Sequence, residues 1–120
     1  MSKVVIQPEQ KSDEVMKPIF QVISQELKLP ISLIEYDGMK IMFYKPYSFA
    51  VRIENEMLIH ENRDLSIFVG ESSLDELVES FFDAFCYQWR DLARSDNSKL
   101  GKCAIEVKER LLAMAKEVTI

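Results

Sequence analysis

Apolar and polar positions change period twice along this 120-residue chain. Val15, Ile19, Val22, Ile23 and Leu27 recur at helical spacing, with Ser12-Asp13 ahead of them as a start signal. Pro18 falls in the second turn of that stripe and opposes it, and Ile19–Ser24 also fits a strand. The preferred reading is a helix over residues 13–28, ending before Pro30. Residues 1–12 are polar after Val4-Val5-Ile6, and form either a short edge strand at 3–6 or a flexible lead-in.

From Ile31 to Gly70 the period falls to two. Asp37-Gly38 is the strongest hairpin signal, because a tight turn needs positive φ and these residues tolerate it. It joins Ser32–Tyr36 to Met39–Tyr44. Pro46 predicts an interruption, with a strand resuming at Ser48. Phe49, Val51 and Ile53 alternate with Ser48, Ala50 and Arg52, as in a half-buried strand. After the polar turn Glu54-Asn55-Glu56 come Met57–Glu61 and Leu65–Val69, split by Asn62-Arg63-Asp64. Residues 31–70 therefore read as an antiparallel β-meander.

The period then returns to 3.6. Ser73 followed by Glu76 has capping-box spacing, and Asp75, Glu76 and Glu79 favour the positive end of a helix dipole. That helix runs to about Arg94. Leu74, Leu77, Phe81, Phe85 and Leu92 form one apolar edge; Phe82, Cys86, Trp89 and Ala93 form another. Ser95-Asp96-Asn97-Ser98 breaks it. A last helix spans Cys103–Val118, with Ala104, Val107, Leu111, Met114, Ala115 and Val118 as its stripe. The expected fold class is α+β: an antiparallel β-meander followed by a C-terminal αα-hairpin over 73–118, packed on one sheet face. One domain over 1–120 suits this length, without metal or disulfide staples.

Charge removes some function classes. Fifteen basic residues against twenty acidic give a net charge of -5, which argues against non-specific binding to phosphate backbones and suits either solubility or docking to a basic partner. No apolar run reaches the length of a signal core or a membrane span, so a cytoplasmic protein with reduced thiols is expected. Two cysteines and one histidine are too few for a zinc site, and no phosphate loop, dinucleotide fingerprint or nucleophile elbow is present. No cofactor is implied.

The candidate chemistry is thin. His60 is the single histidine, on a strand, and reads first as a solvated or cross-strand-paired residue. Cys86 sits among Phe82, Phe85 and Tyr87, where burial raises a thiol pKa. Cys103, near Lys99 and Lys102 at a helix start, is the better candidate for reactivity. Among Asp75, Glu76, Glu79 and Asp83, spacings of three and four put several on one helical face, which reads as solvated rather than metal-binding. Lys99, Lys102, Lys108, Arg110 and Lys116 are diluted by Glu106, Glu109 and Glu117 into an ordinary charged surface.

With Phe49, Val51, Ile53, Leu65, Ile67 and Val69 turned to the helices, the outer sheet face would hold Ala50, Leu58, His60 and Phe68. That face is apolar enough to be a contact surface or to be covered by residues 13–28. Leu58, Phe68, Phe82 and Trp89 are accordingly the candidate interface, and a homodimer is expected.

The stretch Ser48–Tyr87 resembles the HicB-like antitoxin fold. Antiparallel strands end in a glycine, followed by a capped acidic helix: Gly70-Glu71-Ser72-Ser73-Leu74-Asp75-Glu76-Leu77. The resemblance implies a small acidic, non-enzymatic module that masks a basic RNase-type partner. The alternative is a small enzyme or ligand-binding domain with a pocket between sheet and helix, near His60 or Cys103.

Overall fold

Two tight turns set the register of the sheet. In the computed structural model, which describes residues 27–119, Asp37 and Gly38 both take positive φ (53° and 78°). They join β1 (Leu27–Tyr36) to β2 (Met39–Glu54), pairing Tyr36 with Met39. Asn55 and Glu56 repeat the device at φ 51° and 65°, joining β2 to β3 (Met57–Asn62). A third turn, through Ser66 at φ 56°, leads into β4 (Ile67–Glu71). The strands lie in the order β1-β2-β3-β4, all antiparallel.

α1 (Leu74–Gln88) starts on the expected cap. The Ser73 hydroxyl accepts the Glu76 backbone N–H at 3.2 Å, and the Glu76 carboxylate accepts the Ser73 hydroxyl at 3.0 Å. α1 continues as a π-helical turn, Trp89–Ala93, in which the Arg94 N–H reaches the Trp89 carbonyl. After the 3-10 turn Asn97–Lys99 comes α2 (Lys102–Met114), which packs against that π turn. The chain returns to the sheet as β5 (Ala115–Glu117), antiparallel to β2. The fold is thus α+β, with the helices packed on an antiparallel meander.

The core is one cluster between sheet and α1. Ile34, Ile41, Phe49, Leu65, Leu77, Phe81, Phe85 and Leu111 are all fully buried in it. Phe85 lies 5.2 Å from Phe43 and 5.8 Å from Phe81, ring centre to ring centre, and stacks on Trp89. Phe82 on the second edge packs on Tyr36 of β1, while the π turn at the end of the long helix meets α2 and, through Trp89, β5.

Several expectations need correction. Leu27 and Lys28 open β1 instead of closing a helix; the rest of the expected helix at 13–28, and the lead-in before it, lie outside the described residues. Pro30 sits inside β1 opposite Ser48. Pro46 does not end its strand. β2 passes through it on a wide bulge, with Phe43 through Pro46 facing Ser32 alone, between the pairs Leu33–Met42 and Ile31–Tyr47. Leu65 is buried in the third turn rather than in β4. The last helix stops at Met114, because Ala115–Glu117 gains ladder bonds to Ile41–Phe43.

The faces of β3 are also reversed. A two-residue turn places Ile53 directly opposite Leu58, and residues opposite each other share a face. Leu58 and His60 therefore lie on the side of Phe49 and Val51, toward the core. Ile53 shares that side but runs past the core and is exposed. The opposite side carries Arg52, Ile59, Glu61 and Phe68.

Candidate functional site

His60 is 2% exposed, stacked on Phe49 at 4.3 Å and edge-on to Phe81 at 5.0 Å. Its Nδ1 lies 2.8 Å from the Ala50 carbonyl, which can only accept, so Nδ1 carries the proton. Nε2 then accepts the Tyr47 hydroxyl at 2.8 Å. Asn62 donates its amide to that hydroxyl at 2.9 Å, and its carbonyl oxygen accepts the Leu65 N–H at 3.1 Å. With the ring neutral, every donor in this chain points one way. Burial pushes the Tyr47 hydroxyl above its ordinary pKa, against the opposing pull of Asn62. The region between sheet and helix around His60 is thus filled by aromatic side chains and a satisfied polar chain. That arrangement specifies how β2, β3 and the third turn pack together.

The thiols divide as their surroundings dictate. Cys86 is buried, and desolvation pushes its pKa up to about 11, far from thiolate chemistry. Cys103 is exposed near the start of α2. His60 and Cys103 thus occupy different environments, one sealed in the core and one on the surface.

Of the four expected interface residues, Phe68 is 60% exposed on the outer face of β4. Leu58 and Phe82 are half-buried against the core. Trp89 is 3% exposed, and its indole N–H donates to Glu117 at 3.0 Å. Trp89 is thereby committed to anchoring β5.

The acidic residues of α1 form the most distinctive surface. Between Arg63 and Arg90 the chain carries Asp64, Glu71, Asp75, Glu76, Glu79 and Asp83, with no lysine or arginine. Glu76, Glu79, Ser80 and Asp83 follow helical spacing, so they share one side of α1. With Glu71 from the end of β4 and Tyr36 from the end of β1 they line an open groove of about 400 Å³. Ser80 donates to Glu71 at 2.7 Å, and Tyr36 donates to Asp83 at 3.2 Å. Desolvation, then the charge of Asp83, raises the Tyr36 hydroxyl pKa. Among the described residues no three of His, Cys, Asp and Glu come together as metal ligands. The sequence placed several of the four helix carboxylates on one face, and Glu76, Glu79 and Asp83 line the groove. It missed Glu71 and Tyr36, because only the folded sheet brings its first and fourth strands to the same helix.

Comparison with family models, with curated proteins and with solved structures returns no match. The groove and its charge are therefore the basis for any reading of function. No helix among the described residues is long and apolar enough to cross a membrane.

Proposed function

We propose that this protein is a non-enzymatic interaction module that masks a basic partner protein, in the manner of a small antitoxin. The observation that carries the reading is the groove of Tyr36, Glu71, Glu76, Glu79 and Asp83 on a chain of net charge -5. Carboxylates set along one helix side, with no basic residue in that stretch of sequence, favour encounter with a cationic surface and repel an anionic one. His60 is buried with hydrogen bonds at both ring nitrogens, and burial pushes the Cys86 thiol up to about 11, which supports a binding role over a catalytic one.

The test is a titration of fluorescently labelled hepta-lysine, followed by anisotropy, against wild type and the Glu79→Gln/Asp83→Asn variant. These replacements keep shape and remove two charges. The expected result is binding that weakens about fivefold in the variant, the value of two exposed charge pairs, and weakens further with added salt. Equal affinity for both proteins overturns the reading.

A further inference from the structure

β4 is a terminal strand of the meander, pairing among the described residues with β3 alone. An open edge offers a row of N–H and C=O groups to any extended chain, and soluble proteins normally blunt such edges with proline, lysine or a bulge. The opposite terminal strand, β1, carries such residues: Lys28, Pro30 and Glu35. β4 has none. Its sequence is Ile67-Phe68-Val69-Gly70-Glu71, in unbroken register with β3 from Asn62–Ile67 to Leu58–Glu71. Phe68 stands exposed on its outer side, where an added strand would set alternate side chains. Glu71 on its inner side opens into the acidic groove along α1.

We infer that the β4 edge receives an extended basic segment of the partner as an added strand, its inward residues cationic against Glu71, Glu76 and Glu79 and its outward residues apolar against Phe68. This rests on the acidic-module reading given above, and adds a main-chain docking mode to it. Charge complementarity selects the occupant: a second copy of this chain would bring its own acidic face to the same groove. Main-chain hydrogen bonds would provide register, and the carboxylates would select lysine or arginine at every second position.

The probe is the blocked peptide Lys-Val-Lys-Val-Lys-Val-Lys, with two relatives N-methylated either at every valine or at every lysine. In a strand, residues of one parity all direct their N–H groups to the same side. One methylated peptide therefore loses the bonds to β4 and the other does not, while the charge of all three is the same. The expected result is that the parent and one relative bind alike, and the other relative weakens about tenfold or more. Equal binding by all three, or equal loss by both relatives, overturns strand addition and leaves the acidic-module reading standing. No binding of the parent overturns both.

Discussion

Phe85 shows how much of this fold rests on a single side chain. It is fully buried, with Phe43, Phe81 and Trp89 around it, so it joins sheet, helix and π turn. Phe85→Ala should cost roughly 3–5 kcal/mol, the range for emptying an aromatic core site. Urea denaturation measures this, and a loss below about 1 kcal/mol would contradict the packing described. The role of Phe85 was legible from its helical spacing with Leu77 and Phe81. That of His60 was not, because its burial depends on which face of β3 meets the core. The two-residue turn at Asn55-Glu56 decides that face, and moving the pairing by one residue would exchange inside for outside. The Tyr47–His60–Asn62 chain was hidden for the same reason: its members come from two strands.

At the scale of elements, the short strand β5 is held by side chains as well as by its ladder. Glu117 accepts hydrogen bonds from Arg94 and from the Trp89 indole. The Arg94 guanidinium, first, holds the Glu117 carboxyl below its ordinary pKa of 4.5. A carboxyl depressed in the folded state contributes stability that is present above its unfolded pKa and is lost as pH falls through the folded value. Glu117→Gln should therefore lower Tm near neutral pH, modestly because the pair is part-exposed, with the gap to wild type closing as pH falls below the ordinary carboxyl value of 4.5. Thermal melts followed by Trp89 fluorescence measure it, and a gap independent of pH would show that the ion pair does not secure β5. Helical periodicity alone runs past Met114, since Ala115 and Val118 extend the α2 stripe. The strand wins at Ala115 because β2 has an open edge beside Ile41–Phe43, information that resides in a segment over seventy residues earlier. Local signals succeeded where the controlling residues are adjacent: Asp37-Gly38, and Ser73 with Glu76.

Across the whole molecule, charge and strand edges are arranged asymmetrically. The terminal strand with lysine and proline is β1, and the one without them is β4, beside the carboxylates of α1. Sequence composition disclosed the acidic balance but not its concentration between the ends of the meander, which requires β1 and β4 to meet the same helix. An extended cationic chain should bind there. The most direct measurement is amide-resolved NMR of the isotope-labelled protein during titration with the Lys-Val heptapeptide. The largest shifts should fall at Phe68–Glu71 and along Glu76–Asp83, and should fade as salt is raised. Shifts centred on α2 around Cys103, or spread evenly over every acidic surface, would contradict docking at β4 and α1.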